Sequence, residues 1–484
     1  MRTVLFALLL LVNLSAEAQL KPPMEPAAMR EDFAYLRQYL ERTHPMLYIH
    51  HTPEEMRTKM DSLALTMDKP LPFLEFYKKI AYIVAEVGCE HTSCNYGEGF
   101  EKLMKTVGLF PYQLYFMHDK VRITVNMTKD RDIQPGDELL SINNYPIDSI
   151  RHVLYQYIPM DGHITAAKDN QLSSMAFNFW YNLFVEQAGQ FAISVRTKEG
   201  KPITKTVKAV PLNILNKQAR KNPVNKPILE LASKLEIWRR EPLHLEILPE
   251  QKAAVLSVNS FSVNMDKFRK TIDSFFRVIA LNKSEKLVIN LGNNGGGEVE
   301  LAADLLNYFI TTPTSIVEYS YLLTDSDEDL KLASAPDEVR NAKYDYITPI
   351  KDGKSYAKLS KYAGELKLLQ PHQDRFAGKV FLYVNGGTSS AASTFASVMK
   401  SLGLATVVGE ETAGAYAGGG TVIGLDLTLP QSKITVHSGL IYQRFRTNGG
   451  IPHRGVIPDV PYFLSFDELL ARDKPWLKFI LGLK

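Results

Sequence analysis

An α/β fold with a buried sheet is what this sequence predicts, and three observations carry the prediction. From about Leu245 onward, strand-like runs alternate with helix-like runs: 253–258, a helical pattern with Phe268, Ile272, Phe275 and Phe276, 287–291, a helix over 299–309, 380–384, and a helix after Ser390. The strands are apolar throughout, which suits a sheet covered on both faces. Two of them run straight into turns dense in glycine, and open α/β sheets hold ligands at such strand ends.

At 484 residues the chain has room for two or three domains of about 100 to 200 residues each. Its 45% apolar and 23% charged content is that of a globular protein, so disorder is not the default. Met1-Arg2, the apolar run 4–12 and Ala16-Glu17-Ala18 read as a secretory signal peptide over residues 1–18. That apolar run is too short to span a bilayer, so the expectation is an exported protein, periplasmic or extracellular, without a membrane span. Residues 24–100 carry helical periodicity, with Phe33, Leu36 and Leu40, then Met56, Met60, Leu63 and Leu65, then Phe73, Phe76, Ile80, Ile83 and Val84. Pro45 and Pro70-Leu71-Pro72 divide this helical cap into three or four short helices.

Residues 101–215 have the texture of short strands, at 114–116, 121–125, 139–142 and 191–195. Within them the stretch from Ile133 to Ile147, with a tight turn at Pro135-Gly136 and a hairpin tip at Asn143-Asn144, resembles the core signature of a PDZ domain. That resemblance implies a PDZ-like domain with an open sheet edge, to which an extended peptide can add a strand. Positive charge and prolines concentrate between Lys198 and Lys226, which reads as a solvated linker. Residues 216–484 make up the α/β core, within which the charged, tyrosine-bearing stretch 324–373 has little periodicity and reads as a lid or insertion.

The formal net charge of +3 is too small to argue for nucleic acid or an anionic membrane as partner. Cys89 and Cys94 flank a short loop holding His91, and a bridge or two reduced thiols are equally compatible with that spacing. Neither His-Glu-x-x-His nor paired Cys-x-x-Cys occurs, so no metal and no cofactor is implied.

The chemistry concentrates at two strand ends. After the run 380–384 come Asn385-Gly386-Gly387-Thr388-Ser389-Ser390-Ala391-Ala392-Ser393, a strand-turn-helix bend. Such a bend can hold a serine hydroxyl at the positive end of a helix, where free N–H groups stabilise developing negative charge. Read in isolation, Thr388, Ser389 and Ser390 are equally a helix cap. The second strand end shifts the balance: 286–291 leads into Gly292-Asn293-Asn294-Gly295-Gly296-Gly297, and successive glycines expose amides and admit a substrate as an oxyanion hole requires.

Taken with Val408-Gly409-Glu410-Glu411-Thr412 and Gly455-Val456-Ile457-Pro458-Asp459, in this order along the chain, these segments resemble the tail-specific, or C-terminal-processing, serine peptidase family. That family is related to the tricorn protease core and to interphotoreceptor retinoid-binding protein. The resemblance implies a ClpP/crotonase-like peptidase core. It places the nucleophile on Ser390 and the oxyanion hole on the N–H of Ala391 with one from the Gly295-Gly296 pair, and makes Ser389 and Ser393 supporting cap residues. The lysine of the family's serine-lysine dyad would fall on Ala415, so the chain resembles the tricorn-like branch that uses histidine. Val87-Gly88-Cys89-Glu90-His91-Thr92 fits the segment supplying it, which implies His91 as general base, with His372, His437 and His453 as runners-up. For the orienting acid, Glu410, Glu411 and Asp459 are candidates. Asn290 and Gly292 stand where the family commonly has Asp and Arg. The expectation is a secreted serine endopeptidase acting on peptides or protein tails through an acyl-enzyme; the alternative is an inactive ligand- or peptide-binding protein on the same fold.

Overall fold

The computed structural model describes residues 21–97, 105, 107–324, 326–334, 355–356, 366–470 and 474–483. The expected signal segment 1–18 and most of the stretch 324–373 lie outside the described residues. Three helices open the described chain: α1 (Pro26–Thr43), α2 (Pro53–Leu65) and α3 (Phe73–Glu86). Proline occupies the first turn of α1 and of α2, where its missing N–H costs nothing. A reciprocal Thr52–Glu55 capping box fixes the start of α2. The apolar stripe of α3, from Phe73 to Val84, is buried as its spacing predicts.

An antiparallel sheet follows in the order β1 (Tyr112–Phe116), β2 (Val121–Asn126), β3 (Glu138–Ile142), β4 (Gln190–Arg196), β5 (Pro202–Lys208). Asn143 and Asn144 both adopt positive φ, 49° and 66°, as a tight hairpin tip demands, and return the chain onto β3 at Tyr145–Pro146. Helices α4 (Ile147–Tyr155) and α5 (Thr165–Leu172) come between β3 and β4. The linker expected between Lys198 and Lys226 is instead ordered: β5 pairs along its length with β4, and α6 (Leu212–Lys221) buries Leu215 and Ala219. The misreading has a local cause: Val207 is the one fully buried residue of β5, and Lys205 on the same face is half-buried and paired with Asp130 and Asp132. Helix α7 (Lys226–Arg240) then leads into the core.

The central sheet runs β6 (Leu243–Leu248), β7 (Ala253–Val258), β8 (Lys286–Asn290), β9 (Lys379–Val384), β10 (Thr406–Gly409), β11 (Val460–Pro461), so that spatial and chain order coincide. From β7 to β11 every neighbour is parallel, and β6 is an antiparallel edge. Alternate residues feed opposite faces. Leu287, Ile289, Leu382 and Val384 pack with α8 (Met265–Leu281), α9 (Val299–Leu306) and α10 (Ser390–Ser401), whereas Val288, Phe381 and Tyr383 pack with Trp476, Leu477 and Ile480 of α11 (Pro475–Leu481). Each such side chain buried in full contributes about 1.5–3 kcal/mol, which is why these strands read as continuous apolar runs.

The N-terminal helices do not stand apart from the core. The strand Ser93–Asn95 pairs with Thr435–Gly439, which pairs with Gly424–Thr428, and Tyr39 of α1 is buried against Ser438 and Leu425. This sheet delivers the loop holding Glu90 and His91 to the C-terminal ends of β8 and β9. Among the described residues no helix is long and apolar enough to cross a membrane.

Candidate active site

Hydrogen bonds from its own side chains build the turn between β9 and α10. Asn385 Oδ1 accepts from Gly387 N at 3.1 Å and from Asn293 N at 2.8 Å, which joins this turn to the glycine loop after β8. Thr388 Oγ1 donates to Leu291 O at 2.9 Å and accepts from Asn385 N. Ser389, the N-cap, is extended at φ −132°, and Ser390 takes φ +50° as the first residue of α10. A non-glycine residue in the left-handed region costs on the order of 1 kcal/mol, and such strain persists where surrounding contacts over-determine it. The α10 residues Ala391–Met399 are all buried, so the helix head cannot retreat, while Ser390 itself keeps part of its surface open. Among the described residues no acceptor is paired with the Ala391 N–H, which belongs to the unsatisfied first turn of the helix.

The glycine loop presses on this serine. An added Cβ on Gly296 would lie 2.6 Å from Ser390 Cβ and 2.9 Å from Ala391 N, and Gly296 has φ +94°. Only glycine allows that approach without strain. One expectation needs correcting: the Gly296 N–H is not a free oxyanion donor. Buried Asn294 donates its Nδ2 to Val258 O at 2.8 Å, and its Oδ1 accepts the Gly296 N–H at 2.9 Å. Gly295 is exposed, with open space where a Cβ would stand. In place of the absent Asp and Arg, Asn290 Oδ1 accepts the Gly292 N–H at 3.0 Å and its Nδ2 donates to Ser257.

The loop after α3 meets the same turn. Glu90 Oε2 accepts from Ser389 Oγ at 2.6 Å, and Oε1 accepts the Ser390 N–H at 3.0 Å. Oε1 also lies 3.6 Å from His91 Nε2, so serine backbone and imidazole share one carboxylate oxygen across 300 residues of sequence. Ser389 is therefore held by Glu90 and makes no side-chain cap bond to its own helix. Ser393 donates to Thr388 O at 2.7 Å and accepts from Gly414 N, tying the turn to the segment after β10.

Beneath Glu90 lies a second carboxyl that sequence reading passed over. Asp161 is buried, and it accepts the Glu90 N–H at 2.9 Å and the Ala415 N–H at 3.0 Å. Burial, reinforced by the nearby charge of Glu90, raises its pKa. Nothing in composition or periodicity marks Glu90 or Asp161. The one available signal is that Glu90 directly precedes the histidine of a loop already singled out.

Two acids proposed to orient the histidine are engaged elsewhere. Glu411 forms a bidentate pair with Arg454, at 2.7 and 2.6 Å, and accepts the Gly455 N–H. Asp459 accepts from Val407 N at 2.8 Å and pairs with Lys400. The runner-up histidines also have other partners: His437 with Asp426, His372 with Asp273, and His453 with His50, Nδ1 to Nδ1 at 2.9 Å. Both cysteines are free thiols, Cys89 being buried.

A groove of about 490 Å³ runs alongside the turn, between β1, α4, α5 and the segment after β10. Its lining includes Asn385 of the turn, Gly409 and Glu410. Burial, aided by the charge of Asp169, pushes the Glu410 carboxyl up to about 7.

A sequence model described as peptidase family S41 matches residues 252–462. No curated protein matches the chain. The structure is similar to mature CPAF, at 15% identity and a TM-score of 0.64 over 95% of this chain and 97% of that one. It is similar to mature CPAF complexed with lactacystin at 15% identity and a TM-score of 0.63, over 94% and 99% of the two chains. A photosystem II D1 C-terminal processing protease aligns at 14% identity and a TM-score of 0.39, over 94% and 98%. At 15% identity the CPAF likeness establishes the fold, a mixed α/β architecture of helices and several sheets.

Proposed function

We propose that this chain, whose residues 252–462 match peptidase family S41, is an exported serine peptidase that cleaves peptides or protein tails. Ser390 Oγ attacks the scissile carbonyl and the His91 imidazole accepts its proton. The oxyanion of the tetrahedral intermediate is held by the Ala391 N–H at the head of α10, with Gly295 as the second donor. The imidazolium then protonates the leaving amine, and water releases the acyl-enzyme. Glu90 is a positioning residue: it holds the His91 loop against the nucleophile turn through Ser389 and the Ser390 amide.

The observation that carries this reading is Ser390 in left-handed backbone at the head of a buried helix, partly open, joined through one carboxylate to a histidine. The test is hydrolysis of casein and of fluorogenic peptides by wild type and by Ser390→Ala. The account expects cleavage by wild type and a fall of about 10⁴-fold or more in the variant, as loss of a nucleophile produces. A second reading, a binding protein on the same fold, is favoured by the engaged Gly296 amide and by Ala415. Well-folded wild type that binds peptides yet cleaves none would select it.

A further inference from the structure

The groove beside the turn carries an uncompensated charge. Four carboxylates line it, Asp119, Asp169, Glu410 and Glu411, against two guanidinium groups, Arg151 and Arg454. Both guanidiniums are already spoken for. Arg454 is bidentate with Glu411, and Arg151 donates Nε to Asp169 Oδ1 at 2.7 Å. Asp169 also accepts from Tyr155. Asp119 lies 3.7 Å from Lys120, which leaves Glu410: its backbone N–H is fixed to Val384 O at 3.0 Å, and among the described residues neither a cation nor a hydrogen-bond donor is paired with its carboxylate. A part-buried carboxylate in that condition is unfavourable unless something arrives to compensate it.

Two further features say what would arrive. Tyr115, Phe116, Tyr155 and Phe463 also line the groove, and aromatic walls around an anion favour a cation with an apolar stem. The groove also adjoins the nucleophile turn, through Asn385 and through α5, whose Asn170 reaches Asn293 at 3.2 Å. Resting on the peptidase reading, we propose that this groove is a subsite for a lysine or arginine side chain of the peptide substrate, with Glu410 as the residue that determines the preference. Asp169 adds to the negative field, and the charge of the same carboxylate contributes to raising the pKa of the Tyr115 and Tyr383 phenols. The elevated pKa of Glu410 is the expected mark of a carboxylate awaiting its counter-ion.

The test uses full-length wild type and matched peptides that carry lysine, arginine, methionine or glutamate at each position around one cleavage site. The expected result is a preference of at least about 10-fold in kcat/KM for lysine and arginine over methionine at one position, as a desolvated ion pair supplies. Glu410→Gln should reduce that ratio to within about 3-fold, and Glu410→Lys should turn it toward glutamate. Cleavage without any preference for a basic side chain overturns the inference and leaves the peptidase reading standing. Fluorescence anisotropy with the same peptides on wild type separates the two further. A lysine preference in binding without cleavage keeps the subsite and removes the enzyme, whereas equal binding of lysine and methionine peptides removes the subsite. Because the wild-type preference decides alone, poor folding of a Glu410 variant does not spare the proposal.

Discussion

Glu90 and Glu410 stand on two sides of the same turn and differ in one respect: the number of donors that reach them. Glu90 accepts a hydroxyl and a backbone amide from the nucleophile turn and sits beside an imidazole. Glu410 projects into a groove and is pushed up to about 7 by burial. The contrast teaches that a carboxylate satisfied by its own protein holds other groups in place, whereas one left short of partners is available to a ligand. The first kind should be costly to remove and the second advantageous to neutralise.

The largest effect expected from this contrast is on the satisfied side. Glu90→Ala removes the acceptor shared by Ser389 and Ser390 and frees the His91 loop from the turn. Hydrolysis should fall about 100-fold or more in kcat with KM changed less than 3-fold, since small misplacements of a reacting group cost that much. An unchanged kcat would remove Glu90 from the mechanism. Next comes the glycine that lets the two turns meet. Gly296→Ala places a methyl 2.6 Å from Ser390 Cβ at φ +94°, so a loss of about 2–4 kcal/mol in denaturant unfolding is expected, with activity reduced. Stability within about 0.5 kcal/mol of wild type would mean the loop can give way.

The smallest effect is on the unsatisfied side, and its sign is opposite. The Glu410 pKa is raised from the usual 4.5 to about 7, so between those values the folded state holds more protons than the unfolded one. Stability from this group therefore falls as pH rises through that window. Glu410→Gln escapes the penalty. Its melting temperature should exceed that of wild type at pH 8, by an amount worth on the order of 1–3 kcal/mol, and the difference should vanish toward pH 4.5. A variant less stable than wild type at pH 8 would show that the carboxylate has a partner in the folded protein.

Much of the fold was legible because its signals are local. Three core strands, at 253–258, 286–290 and 379–384, are apolar on both faces, the helices carry their stripes, and Asn143-Asn144 marks a hairpin by backbone preference alone. The stretch around Lys205 was misread because a strand with a single fully buried residue, Val207, looks as charged and as proline-bearing as a linker does. At the site, the two glycine-dense turns were visible as strand ends. Their connections were not: Glu90 reaches Ser390 across 300 residues, and Asp161 reaches Ala415 across 254, so no spacing rule could pair them. The same limit made Glu411 and Asp459 look free, when Arg454 and Lys400 already hold them. The Gly296 amide looked available because the Asn294 side chain that takes it up becomes an acceptor only once the loop is folded.

The central claim is that the Ser390 hydroxyl is an activated nucleophile, and a fluorophosphonate probe tests it most directly. Intact wild type treated with the probe at neutral pH, then digested and analysed by mass spectrometry, should carry the adduct on the peptide containing Ser390, while Ser390→Ala should carry none. Folded protein that stays unmodified, or that takes the adduct at another serine, would contradict the account.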